Sequence, residues 1–229
     1  MKNFFRRLKY YAFGFGIGLI FVFVFFKNRG CSWLPSNRVK NTLLDRVIVI
    51  PETDLLSLEK ENITTEDLKE ILNDGDISFK ESSKHQNPKI YLIEKEINNT
   101  KYNKFYFTLP EESFISELRI EKPISNSTKK FGKLLFFPND ENLIFVDSSS
   151  FINCQQEKLG LLNPKDILKI LKKNGRINFS KSHLNSNPKP EHILEITLDN
   201  NKKVNLSTIW YKNKLNITEL NSEVKLDCE

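Results

Sequence analysis

The residues able to do chemistry in this chain are few: three histidines, three cysteines and one run of lysines. His183 and His192 stand nine apart on either side of Asn187-Pro188-Lys189-Pro190. Such a pair could ligate a metal with a carboxylate nearby, but a lone pair across a proline-rich segment reads more simply as a solvated loop. The third histidine, His85, lies in the corresponding stretch upstream. Cys31, Cys154 and Cys228 are widely spaced singles with no Cys-x-x-Cys, so no metal knuckle is expected. One bridge is available, and Cys154–Cys228 is the natural pair if the body lies outside the cytoplasm. Cys31 could then join two chains; buried or free thiols are the alternative. The chain has no Gly-rich phosphate loop, no His-Glu-x-x-His and no Gly-x-Ser-x-Gly. Catalytic, cofactor-binding and metal residues are therefore none, and the reading leans away from an enzyme. Lys165, Lys169, Lys172 and Lys173 fall along one helix and read as its solvated face.

The elements that position these residues begin with an apolar run. Tyr10–Phe26 holds seventeen residues without a charge, about 26 Å of helix at ~1.5 Å per residue. With Lys9 and Lys27 snorkelling at its ends it is expected to cross a bilayer as an uncleaved single-pass anchor. The core ends in Phe25-Phe26-Lys27-Asn28-Arg29, without the small-residue exit of a cleaved signal. Gly14 and Gly18 have the spacing that lets two membrane helices pack closely, a candidate dimer face. Residues 1–46 hold nine bases and one acid, while the rest holds 26 bases and 28 acids. The overall +6 thus belongs to the anchor and its anionic lipid headgroups, and nucleic acid is not an expected partner of the body. Clustering of Lys2, Arg6, Arg7 and Lys9 favours an N-in anchor with the body outside, at the cell membrane.

Self-similarity organises the remainder. Thr65–Ser82 aligns with Pro164–Ser182: Asp67 meets Asp166, Ile71 meets Ile170, Gly75 meets Gly175, Phe79 meets Phe179, and Pro88 meets Pro188. Each copy reads as a short strand, a helical stretch, an amphipathic helix ending at glycine, and alternating strands. Thr64 or Thr65 and Asn163 are available as N-caps, and Gly75 and Gly175 suit left-handed C-caps. Asn98-Asn99 and Asn200-Asn201 read as hairpin turns. The expected class is α+β: one transmembrane helix, then two repeated modules of helix followed by antiparallel strands. Boundaries fall at 1–30 for the lead and membrane helix (about 10–26) and 31–43 for a juxtamembrane segment. The first module covers 44–120, a linker with an apolar segment 121–141, the second module 142–221, and a tail 222–229. Phe131, Leu134–Phe137 and Phe145 are expected in the core.

Ile63-Thr-Thr-Glu-Asp-Leu-Lys-Glu-Ile-Leu-Asn-Asp-Gly-Asp-Ile resembles the helix–glycine–strand core of the bacterial domain of unknown function 4258 family. The Phe-rich helix followed by Cys31-Ser-Trp-Leu-Pro35-Ser-Asn37-Arg38-Val39 resembles a membrane-anchored group within it. The resemblance implies placement and fold more than mechanism. Some soluble members look similar to small toxin-like ribonucleases, with a histidine pair ahead of the helix. Here Glu61-Asn62 and Gly160-Leu161 occupy those positions, and all three histidines lie beyond the helices. The expected function is a membrane-anchored, duplicated binding or interaction domain, contacting the lipid bilayer and a protein partner or a second copy. The alternatives are a divergent ribonuclease fold tethered at the membrane and a cytoplasm-facing regulator.

Overall fold

The computed structural model describes residues 2–27, 34–60, 62–97, 101–123, 131–222 and 226–228. The chain divides into a unit of Met1–Val39 and a body of Lys40–Glu229. In the first unit α1 (Lys2–Lys27) leaves its large side chains exposed, with Tyr11 at 78% and Phe13 at 71%. Among the described residues no helix is long and apolar enough to cross a membrane. Arg6, Arg7 and Lys9 interrupt the start of α1, and of the expected span 10–26 the side chains of 10–23 are described. The rest of the expected span, 24–26, belongs to α1 by backbone, but its side chains lie outside the described residues, as does Cys31.

The body is mixed α+β. After α2 (Pro35–Leu44), which buries Leu43, come β1 (Val47–Pro51), α3 (Glu52–Lys60), α4 (Thr65–Asp74), β2 (Asp76–Ser83), β3 (Lys89–Ile97), β4 (Lys101–Leu109) and β5 (Ile115–Arg119). β6 (Phe131–Phe136) follows. The chain then runs through β7 (Ile144–Val146), α5 (Ser150–Leu159), α6 (Pro164–Asn174), β8 (Arg176–His183), β9 (Glu191–Thr197), β10 (Lys203–Tyr211) and β11 (Lys214–Ser222). The eleven strands among the described residues form one sheet in the order β2-β3-β4-β5-β1-β6-β8-β9-β10-β11-β7. β1 lies parallel to β5, and β7 lies parallel to β11. β6 is antiparallel to β1 on one side and to β8 on the other.

Local chemistry explains the helices. Thr64 and Asp67 form a reciprocal capping box at α4, and the Thr64 backbone N–H holds the Asp67 carboxyl below its ordinary pKa. Asn163 caps α6, with Pro164 in the first turn where a missing N–H costs nothing. Leu68, Ile71 and Leu72 of α4, and Ile167, Leu168 and Leu171 of α6, face the sheet and are buried. Val47 and Val49 of β1 share one buried cluster with Leu194, Leu206 and Trp210 of the later strands.

Several expectations change. Gly75 and Gly175 are extended rather than left-handed, with φ of −61° and −66°. Their glycine is required by close approach: a Cβ on Gly75 would sit 2.5 Å from the Ile71 carbonyl oxygen and 2.6 Å from Ile93. The left-handed cap is Gly160 of α5, at φ 69°. The segment expected as a linker, 121–141, supplies β6, a central strand, while 124–130 lie outside the described residues. Leu134 and Phe136 are buried, but Phe145 is 48% exposed because β7 is a short edge. Of the two asparagine hairpins, Asn201 adopts φ 60°, and Asn98-Asn99 lie outside the described residues. β5 and β11 were not expected.

Candidate functional site

The cavity that combines walls from early and late strands with buried polar groups lies where the β4–β5 and β8–β9 connections meet. It measures about 60 Å³ and is lined by Asn87, Pro88, Thr108, Glu111, Ser113 and Glu117 on one side, and by Phe179, Asn185, Pro190 and His192 on the other. The β2–β3 connection, which also reaches the cavity, carries the cis bond Asn87-Pro88, and the β8–β9 connection carries Asn187-Pro188. Its volume is small beside the ~300–1,000 Å³ of a drug-sized ligand site, so it suits a narrow group rather than a nucleotide.

Ser113 and His192 join the two walls. Ser113 Oγ lies 3.0 Å from His192 Nε2 and accepts a hydrogen bond from the Ile115 backbone N–H at 3.1 Å. Ser113 Oγ donates to Nε2 or accepts from it according to the tautomer of the ring. Nδ1 is buried and has no hydrogen-bond partner. His192 packs on Phe114 with ring centroids 4.7 Å apart, and Phe114 meets Trp210 at 6.1 Å. Arg46 closes the cluster, donating to the Ser113 carbonyl and standing 5.3 Å over the Trp210 ring. Burial pushes the His192 pKa down to about 4, so the ring is neutral at physiological pH. A nucleophile–base pair of this kind needs a third group to orient the base and to stabilise its cation. Among the described residues Nδ1 meets no such group, and the Ser113–His192 contact bridges the two walls.

Glu117 supplies the unusual charge. It sits on β5, where Ile115, Ser116, Glu117 and Leu118 are all buried, so both faces of this strand are covered. Its backbone N–H donates to Thr108 Oγ1 at 3.0 Å, while its carboxyl Oε2 is buried without a partner. Burial, opposed by Arg119 and reinforced by Asp54, raises its pKa to about 7. Arg119 is itself committed to Asp54, Nε to Oδ2 at 2.9 Å.

The residues singled out by sequence are distributed differently. His183 pairs in register with Glu191, the neighbour of His192. Successive residues of a strand point to opposite faces, so His183 is exposed while His192 is buried, and the two rings do not converge. His85 is exposed. Among the described residues no group of three or more His, Cys, Asp or Glu is placed to hold a metal ion. Cys154 and Cys228 are joined in a disulfide, with Cα atoms 5.9 Å apart. At Gly14 and Gly18 an added Cβ would meet nothing within 4 Å. Of the α6 lysines, Lys165 pairs with Glu141, Lys173 with Asp199, and Lys172 stands 6.0 Å over Phe137. The sheet ends are poor templates for a further strand: β2 is bulged and exposes Lys80 and Glu81, and β7 has three residues.

Sequence reasoning missed Ser113 and Glu117. Neither belongs to a motif, and only the fold brings Ser113 to His192, 79 residues away. Comparison of the chain with protein-family models, curated proteins and solved structures finds no match in any of the three.

Proposed function

We propose that this chain is a membrane-tethered, non-catalytic binding protein with a duplicated body, and that the cavity at the seam between its halves is the ligand site. The observation that carries the reading is the Glu117 carboxyl, buried on that cavity with one oxygen unpartnered, beside a Ser–His pair that lacks an orienting acid. A native protein rarely leaves such an atom unsatisfied without a use for it.

Duplication is supported by the strand orders β2-β3-β4-β5-β1 and β8-β9-β10-β11-β7, each closed by a parallel pair. Side chains repeat the pattern. Ser82 Oγ donates to the Ser78 carbonyl and accepts from the Leu92 N–H; Ser182 Oγ does the same with Asn178 and Ile193. Both glycine N–H groups, of Gly75 and Gly175, donate to the carbonyl four residues back at 2.9 Å. Tethering is supported by the charge-free run at 10–26 and by the exposed aromatics of α1. The disulfide supports an oxidising compartment, and hence an N-in anchor with the body outside. Gly14 and Gly18 would then be available for close pairing of two anchors.

Two experiments test this reading. Titration of the full chain in detergent with small fragments, followed by amide NMR, is expected to move resonances of 108–117 and 179–192 without converting any fragment. Shifts confined elsewhere, or turnover, would sink the binding reading. A membrane-impermeant maleimide is expected to label Cys154 and Cys228 in intact cells only after reduction; labelling that needs permeabilisation would put the body inside.

A further inference from the structure

We propose that the seam cavity accepts a primary ammonium on a short alkyl stem, with the Glu117 carboxylate as its counter-ion. The proposal rests on the reading of this cavity as the ligand site and names the chemistry it selects.

Charge, shape and valency point the same way. The cavity lining includes two acids, Glu111 and Glu117, and no lysine or arginine. The cation nearest in sequence, Arg119, is bound to Asp54 from α3, and His192 facing from β9 is neutral. A phosphate or carboxylate would therefore meet like charge, whereas a cation meets the Glu117 carboxylate on the cavity wall. Pro88, Pro110, Pro190 and Phe179 offer apolar walls to methylene groups, in the way lysine stems cover apolar surface elsewhere. A volume of about 60 Å³ matches a slender chain better than a ring system.

Binding must also expel a proton. With its pKa raised to about 7, the Glu117 carboxyl is about half protonated at neutral pH. An ammonium pairs only with the ionised form, so apparent affinity should follow the ionised fraction and fall about tenfold from pH 8 to pH 6.

The test is calorimetric titration of the full chain in detergent with n-butylamine at pH 6 and pH 8, in two buffers of different ionisation enthalpy. Saturable binding, about tenfold weaker at pH 6 and releasing close to one proton there, supports the proposal. Glu117→Gln is expected to weaken it at least tenfold, and the wild-type proton count decides the matter even if that variant misfolds. An acetylated, amidated Gly-Gly-Lys-Gly-Gly peptide separates the sources: tighter binding than n-butylamine assigns the ammonium to a protein lysine, weaker binding to a free amine. If 1-butanol binds as well as n-butylamine with no proton release, the ammonium class falls while the cavity remains a ligand site. If none of the three binds, both readings fall.

Discussion

Burial acts on Glu117 and His192 in opposite directions, because it penalises whichever form carries charge. Glu117 is raised from 4.5 to about 7, so the unfolded chain loses this proton first and stability falls as pH rises between those values. His192 is lowered from 6.5 to about 4, so stability is lost as pH falls between those values. Each effect amounts to about 3 kcal/mol at ~1.4 kcal/mol per pH unit. Between pH 4.5 and 6.5 the two slopes cancel, and these residues leave wild-type stability nearly flat. Urea denaturation across pH 4–8 is expected to show a rising profile up to pH 6.5 for Glu117→Gln and a falling one up to pH 7 for His192→Asn. A Glu117→Gln profile superimposable on wild type would mean the carboxyl is not buried as described. Arg46 offers a second residue-scale check. Arg46→Lys keeps the charge but loses the planar contact over Trp210 and the guanidinium N–H donated to the Ser113 carbonyl, so a quenched or shifted Trp210 emission should report it.

At the scale of elements, α4 and α6 were legible because each combines a helical apolar stripe with a cap, and both signals are local. Their glycines were legible as terminators but not for the right reason. Gly75 and Gly175 end helices by letting the next strand turn in against the last helical carbonyl, and close approach leaves no periodicity in sequence. Alanine at Gly75 or Gly175 is expected to cost about 1–3 kcal/mol, since backbone carbonyls cannot yield as side chains do. Alanine at Gly160 meets no atom within 4 Å, so its cost is that of a left-handed alanine, about 1 kcal/mol. Guanidinium midpoints for the three variants distinguish the mechanisms. β5 was illegible because Ile-Ser-Glu-Leu-Arg spaces its apolar residues three apart instead of alternating, so each of its covered faces mixes apolar and polar residues. β6 reads as linker in the sequence because Phe-Gly-Lys-Leu-Leu-Phe is short and has no counterpart in the alignment of Thr65–Ser82 with Pro164–Ser182. The seam cavity could not be read at all, since its walls come from opposite halves.

For the whole molecule, the disulfide ties α5 to the C-terminal tail across 74 residues. Closing a loop of that length restricts the unfolded chain by about 4 kcal/mol in the chain-entropy account, toward the upper end of measured effects. Dithiothreitol is therefore expected to lower the thermal midpoint by several degrees, and Cys154→Ser to reproduce the drop without reductant. An unchanged midpoint would mean the crosslink is absent from the protein as purified. β6 sets a limit on how the protein can be divided. It hydrogen-bonds β1 and β8 at once, and β1 is buried along its whole length. A gene split after residue 123 hands β6 to the second fragment and leaves the first with a bare, fully apolar border. A split after residue 137 exposes β8 instead. Neither fragment should behave as an independent protein, yet the two contain a matched vacancy and its filler. Co-expressed, they form a ready complementation pair, whose reassembly would be reported by a fluorophore divided between them.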